Sequence, residues 1–265
     1  MRGIILCGLL ISSWFSSGIG SAGEAAQRAV ASVCGVGILS PSGKVLFLPS
    51  SAGGIEAVAI LNGKTLWHSK GASRPLLATN TSVFAQAQIK GKRNQVKIVV
   101  LDAATGERLR ESQMISFPDW VSVRPDFGLS FRSGARLENK DLVFAWQARA
   151  FHDGGEPLPQ FGPDGKPYVD PNARKAGGAF RVNLATGKPA VVKGYQPKEA
   201  DFPEHRPSWV GTTRTQGWKF RVEESGPDPG YPYQLTTRIL RAERADGKRS
   251  WELRIAGEVY LPPRP

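Results

Sequence analysis

The sequence predicts an all-β protein assembled from short antiparallel strands joined by tight turns. Three observations lead there. Gly and Pro are abundant, at 30 and 20 of 265 residues, and they punctuate apolar runs without a collagen-like period. The runs are rich in β-branched and aromatic residues, and several alternate polar with apolar positions. No segment sustains a helical period between a capping box and a closing glycine. Hydrophobic residues at 40% and charged residues at 22% mark an ordinary globular composition.

Residues 1–22 read as a secretory signal. Arg2 supplies the positive end, GIILCGLLISSWF is a short apolar core, and SSGIGSA offers small residues for cleavage after Ala22. The core is too short to span a bilayer, which needs about 20 apolar residues, so no transmembrane segment is expected after signal removal. Removal takes Cys7 with it and leaves Cys34 alone, so an internal disulfide is not expected. These features predict an exported protein, periplasmic or secreted. Residues 23–35 form a lead-in whose GEAAQRAVASV (23–33) is the best helical candidate of the chain.

From residue 36 onward strand-like runs recur: KVLFLPS, IEAVAIL, SVFAQAQIK, QVKIVVLDA, DLVFAWQARAF, GAFRVNL, GWKFRVEE, QLTTRILRAER and GEVYL. In QLTTRILRAE, Leu235, Thr237, Ile239 and Arg241 fall on one face by alternation. The cluster KGKRNQVK (90–97) reads as a solvated hairpin loop between two strands, and DGGEPLPQFGPDGKPYVDPNARKAGG (153–178) as a long loop insertion between two strands that would otherwise be adjacent. SGPDPGYPY enlarges a later turn in the same way.

Four segments repeat one pattern when aligned on a turn glycine: VAILNGKTLW (58–67), LDAATGERLR (101–110), VNLATGKPAV (182–191) and AERADGKRSW (242–251). Each has a strand, then Asn-Gly, Thr-Gly or Asp-Gly, then a charged residue and a second strand. The repeat positions are Gly63 and Trp67, Asp102 and Gly106, Asn183 and Gly187, Gly247 and Trp251. Glycine accepts the positive φ of such a turn, Asp or Asn can bond the turn's own backbone, and Trp offers a large apolar face with one N–H. The spacing between Gly63 and Gly106 is 43 residues, the length of one four-stranded propeller blade of about 40–45 residues. The expected architecture is therefore a propeller-like array of about four or more four-stranded antiparallel blades over 36–265.

The hairpins LDAATGE, VNLATGK, ILNGKTLW and ERADGKRSW resemble the quinoprotein-like (PQQ-like) β-propeller repeat family, with Arg110 and Val191 standing where two repeats would carry Trp. That family usually has seven or eight blades. A truncated or degenerate relative, an unclosed arc, or a ring with further blades too diverged to recognise all fit the four seen here, and an arc would need a partner for its open faces. The resemblance implies two kinds of function. Its enzymes hold pyrroloquinoline quinone with a vicinal cysteine pair, a stacked Trp, calcium and an Asp base; its non-enzymatic members are scaffolds. One mature cysteine cannot make the vicinal pair, and no residues map onto the calcium ligands or the base.

Other chemistry is sparsely signalled. His68, His152 and His205 are isolated from one another, and no zinc spacing occurs. The GKT at 63–65 has Val58 where a phosphate-binding loop needs its first glycine. No nucleophile elbow is present. Asp164, Asp170 and Asn172 supply oxygens in the insertion without EF-hand spacing, and Asn80-Thr81-Ser82 is a glycosylation sequon. Trp120 and Trp146 read as packing residues. The expectation is an exported scaffold or interaction protein with no catalytic or metal residue, and with PQQ and calcium unsupported. A protein or a surface polymer would be the partner, and nucleic acid is not expected. The alternatives are a quinone-dependent dehydrogenase-like enzyme, or a polyanion or polysaccharide binder that uses the net charge of +12.

Overall fold

The computed structural model describes residues 32–33, 37–124, 129–150, 174–202, 212–215, 217–225 and 237–255. The described residues form four antiparallel meanders in chain order. Sheet I holds β1 (Ser32–Val33), β2 (Gly37–Leu39), β3 (Val45–Pro49), β4 (Ile55–Ala59) and β5 (Thr65–Ser69), paired in that order. Sheet II runs β6 (Arg74–Ala78), β7 (Ser82–Ile89), β8 (Lys92–Asp102), β9 (Arg108–Glu111), with β10 (Ile115–Ser116) also paired to β8. Sheet III is β11 (Leu129–Glu138), β12 (Asp141–Ala150), β13 (Arg174–Asn183) and β14 (Pro189–Val191), and sheet IV is β15 (Thr212–Thr215), β16 (Trp218–Ser225), β17 (Thr237–Arg244) and β18 (Ser250–Ile255). One 3-10 turn, Glu199–Asp201, is the only helical element among the described residues. This is an all-β, propeller-like array, as the turn-rich composition predicts.

Burial between sheets sets their order. Ile38, Phe47 and Trp67 of sheet I share a buried cluster with Val83, Val99 and Leu101 of sheet II. Phe84 and Ile98 of sheet II meet Leu142, Phe144 and Trp146 of sheet III, with Phe117 and partly buried Trp120 filling the gap. Leu46, Leu48 and Val58, on the other face of sheet I, pack on Phe220, Val222 and Leu240 of sheet IV. The spatial order is thus III–II–I–IV, with the last sheet against the first. Among the described residues no buried cluster joins III to IV. The far face of sheet IV carries Arg221, Glu223, Arg241 and Glu252 in ion pairs of 3.1–3.4 Å.

Sheet III explains its own sequence. DLVFAWQARA in β12 is buried at seven successive positions because both of its faces are covered. Leu142, Phe144 and Trp146 point at sheet II, whereas Val143, Ala145 and Gln147 lie under residues 195–202, which fold back over the sheet. Gly134 and Gly177 permit that return: a Cβ on Gly134 would collide with the Asp201 carbonyl, and one on Gly177 would reach 2.9 Å from the Pro197 ring.

Several expectations are corrected. KGKRNQVK is mostly strand: the turn is only residues 90–91, with Gly91 at φ +76°, and Lys92 already pairs with Ile89. β13 opens at Arg174, so residues 174–178, read as the end of the loop insertion, extend the ladder opposite β12 as far as Arg174–Ala150; Gly177 there accommodates the crossing segment. The helical candidate 23–33 ends in strand, since Ser32 and Val33 pair with Ile38 and Gly37; its remainder lies outside the described residues. So do the proposed signal, both cysteines, His152, His205, Asp164, Asp170, Asn172, Leu235 and GEVYL.

Candidate functional site: the hairpin rim

The repeated turns are built alike. Gly63, Gly106, Gly187 and Gly247 take φ of +69°, +74°, +69° and +69°, a region in which a Cβ is strained. Asp102 Oδ1 accepts bonds from the Ala104 and Thr105 amides at 2.8 and 2.9 Å and from the Thr105 hydroxyl at 3.2 Å. Asn183 Oδ1 repeats this with Ala185 and Thr186 at 3.1, 2.9 and 3.0 Å. These amide bonds hold the Asp102 carboxyl below its ordinary value. In the fourth turn the Gly247 amide bonds Arg244, three residues back, whereas the other three glycines reach four back.

The residue four after three of these glycines reaches across a seam. Trp67 lays its ring over Gly106 and donates Nε1–H to the Ala103 carbonyl at 3.1 Å. Trp251 lies over Gly63, where a Cβ would stand 2.9 Å from the indole, and donates to the Ile60 carbonyl at 2.6 Å. Arg110 donates Nη1–H to the Leu184 carbonyl at 3.0 Å. Each acceptor is the third residue before the neighbour's turn glycine. The repeat positions are thereby brought together in pairs, Trp67 with Gly106 and Trp251 with Gly63, and Arg110 makes the equivalent contact to the third turn. Nothing lies within 4 Å of a Cβ on Gly247.

Register decides which side chain faces the seam. Hairpins β4–β5 and β8–β9 each carry a bulge, between Ala57 and Val58 and between Val100 and Leu101, and the extra residues Leu66 and Leu109 turn outward. Hairpins β13–β14 and β17–β18 have none; Trp251 sits opposite Ala242, on the face toward sheet I, whereas Val191 sits opposite Phe180, on the face toward sheet II. Val191 is 68% exposed and makes no seam contact of the Trp67 kind.

All these turns lie along one rim. The contacts above chain the four repeated turns as III–II–I–IV, and the first hairpin of each sheet joins its repeated turn. The Ile60 amide bonds the Lys44 carbonyl at 2.9 Å, Ala103 bonds Thr81 at 3.0 Å, and Ala245 bonds Gly217 at 2.8 Å. In sheet III, Asn183 Nδ2 bonds Asp141 at 3.1 Å.

A second polar cluster covers sheet III. Arg132 stacks 4.5 Å over the Phe202 ring, bonds Gln147 Oε1 at 3.0 and 2.7 Å and pairs with Glu199 at 2.8 Å. Arg136 bonds the Tyr195 hydroxyl at 2.9 Å, Asp201 at 3.1 Å and Glu138 at 2.8 Å, while Arg181 takes the other Glu138 oxygen at 2.7 Å. Burial raises the Glu138 carboxyl, but the two guanidiniums outweigh it and hold it below its ordinary value. Burial pushes Tyr195 up. Every polar group here has an internal partner, so the cluster fastens residues 195–202 to the sheet.

Elsewhere, Glu56 is 9% exposed and burial raises its carboxyl, opposed by the Thr65 hydroxyl at 3.3 Å and by His68. The His68 ring contacts the Gly53 carbonyl. Among the described residues no three His, Cys, Asp or Glu side chains gather where a metal ion would be held, and no helix is long and apolar enough to cross a membrane.

No protein-family model matches the chain, and no curated protein matches it. Among solved structures it is similar to the computationally designed Ika4 protein, at 12% identity and TM-score 0.28 over 82% of this chain and 89% of that one. It is also similar to a lignostilbene dioxygenase of Pseudomonas brassicacearum, at 13% identity and TM-score 0.28 over 82% and 60%. A quinohemoprotein alcohol dehydrogenase of Pseudomonas putida gives 12% identity and TM-score 0.24 over 80% and 52%. The chain spans little more than half of those two enzymes, and likenesses this distant assign no activity to it.

Proposed function

We propose that the chain is an exported, propeller-like scaffold whose recurring residues hold sheets together and perform no catalysis. One observation carries this reading: at three seams the residue four after the turn glycine spends an N–H on the neighbouring turn's carbonyl. In the two Trp cases the indole lays one face over a glycine, and Trp67 also packs 5.7 Å from Phe47, so these rings serve inter-sheet packing. The quinoprotein-like resemblance then lies in the hairpin geometry alone.

Two measurements test it. Mass spectrometry of protein from a cell-envelope fraction should find a mature chain beginning at Gly23; retention of residues 1–22 in the cytoplasm would reject export. Pyrroloquinoline quinone with calcium should leave the melting temperature unchanged, because only a ligand bound by the native state raises it. A saturable rise, with dye reduction by alcohols or sugars, would replace the scaffold by a quinone enzyme.

A further inference from the structure

We infer that the hairpin rim is a docking face for an anionic lipid surface. The inference goes beyond the scaffold reading and does not need it, since a quinone enzyme could carry the same rim. The turns on this rim contribute six cations, Lys44, Lys64, Lys140, Lys188, Lys248 and Arg249, against four acids: Glu107 and Asp246 within the turns, and Asp102 and Asp141 at their edges, bonded by the turn's own amides and by Asn183. Asp246 is already paired with Arg244 at 3.3 Å, whereas the six cations are exposed and have no ion-pair partner among the described residues. Their co-location is fixed by backbone and side-chain bonds. Lys44 is tied to the first repeated turn through its own carbonyl, Lys140 adjoins the Asp141–Asn183 bond, and the seam contacts join the turns in a row.

The chemistry favours lipid over other polyanions. Five of the six cations are lysines, compact point charges suited to a diffuse anionic surface, where arginine would give bidentate phosphate recognition. The rim turns themselves contain no aromatic residue on which a base or a sugar could stack, and the two indoles that reach them, Trp67 and Trp251, lie against Gly106 and Gly63. They do present one apolar tip, Leu61, 54% exposed in the turn that begins sheet I's repeated hairpin. A lysine field around an apolar tip is what a headgroup layer accepts: the charges stay in water and the leucine enters the interface.

The test is co-sedimentation of the purified full chain with vesicles of equimolar phosphatidylglycerol and phosphatidylcholine, beside vesicles of phosphatidylcholine alone. Binding should need the anionic lipid and should weaken as salt rises from about 0.01 M to about 0.15 M, where the Debye length falls from about 30 to about 8 Å. K64Q/K188Q/K248Q should weaken it about a hundredfold, near fivefold for each charge. K70Q/K90Q/K92Q removes equal charge from exposed lysines at the opposite ends of the strands and should change it little. L61S should weaken binding a few-fold with the same salt dependence. Residues 1–22 are common to all of these proteins, so differences report the rim. Equal losses from both triple variants, or salt-independent binding, would overturn the inference. So would rim-dependent binding to an acidic polysaccharide or a single-stranded nucleic acid that is tighter than to the vesicles. Unchanged denaturation midpoints would show that these surface changes leave the fold intact.

Discussion

Substituting alanine at two equivalent turn glycines separates the seam contact from the turn itself. Gly106 and Gly247 have nearly the same φ, +74° and +69°, so each Ala variant meets a left-handed penalty of about 1–2 kcal/mol. They differ in what the new methyl meets. At Gly247 nothing lies within 4 Å, whereas at Gly106 the methyl lands in the Trp67 indole. That ring cannot swing aside: it is 8% exposed, packs 5.7 Å from Phe47 and is tethered to Ala103. Overpacking of a fixed ring adds about 1–3 kcal/mol, so G106A should cost about 2–5 kcal/mol and G247A about 1–2 kcal/mol. In a W67A background, itself destabilising by about 3–5 kcal/mol, G106A should fall to the G247A value. The coupling read from the double-mutant cycle is then about 1–3 kcal/mol. Urea denaturation measures it, provided the m-value stays constant across the four proteins. Equal costs at the two glycines, or additive effects of W67A and G106A, would refute the assignment of the repeat to inter-sheet contact.

Three further outcomes follow from the same geometry. Glu56→Gln should raise the melting temperature at neutral pH and not at low pH. Its folded carboxyl is raised, so the ionised native form is disfavoured, and stability is fully present below the ordinary carboxylate value and lost as pH rises through the raised one; an unchanged difference across pH would rule this out. Asp102→Asn should fold normally, because Asn183 makes the same bonds, and should lack one acid transition. The lowered carboxyl contributes stability above its ordinary value and loses it as pH falls through the lowered one, which a stability–pH profile beside D102A would reveal. Arg110→Ala should cost about 1 kcal/mol, well below W67A, because an exposed guanidinium loses one hydrogen bond and no buried ring; a loss as large as that of W67A in denaturant would contradict it.

The strands that could be read in advance have one thing in common. Every run read as a strand within the described residues, from KVLFLPS to QLTTRILRAER, is β3, β4, β7, β8, β12, β13, β16 or β17, a middle strand with a ladder partner on each side. Where both faces are covered, as in β4 and β12, the sequence is near-continuously apolar; where one face is charged, as in β16 and β17, it alternates. The strands that escaped notice lie at or next to the start of each meander: GIL is too short, RPLLA contains Pro75, LSFRSGARLE buries Ser133 and Gly134 against other groups, and TTRT is polar. The hairpin turns were legible because Gly and Asp or Asn do the same local job in any context. The seam partner of Arg110 was not, since a search for Trp looks for a ring, whereas the second turn needs only an N–H at the right reach. The bulges that set Leu66 and Leu109 outward leave no mark that an alternation count can separate from ordinary strand.

Register also explains why the array is discontinuous where it is. With a bulge, β14 would turn the position of Val191 away from sheet II; without one, Pro189, Ala190 and Val191 pair straight up β13, and the residue on that far face is Ala190, too short to reach a neighbouring turn. The faces of sheets III and IV that join no other sheet's buried cluster are charged, with sheet III sealed by its own Arg132, Arg136 and Arg181 network and sheet IV by Arg221, Arg241 and their glutamates. Exposed pairs of this kind contribute about 0–1 kcal/mol each, far less than the aliphatic and aromatic clusters at the other three seams. Cohesion in the array therefore runs through the contact of the last sheet with the first. Trp251 is the residue that makes it: its ring covers Gly63 and its N–H holds Ile60, joining residues 191 positions apart.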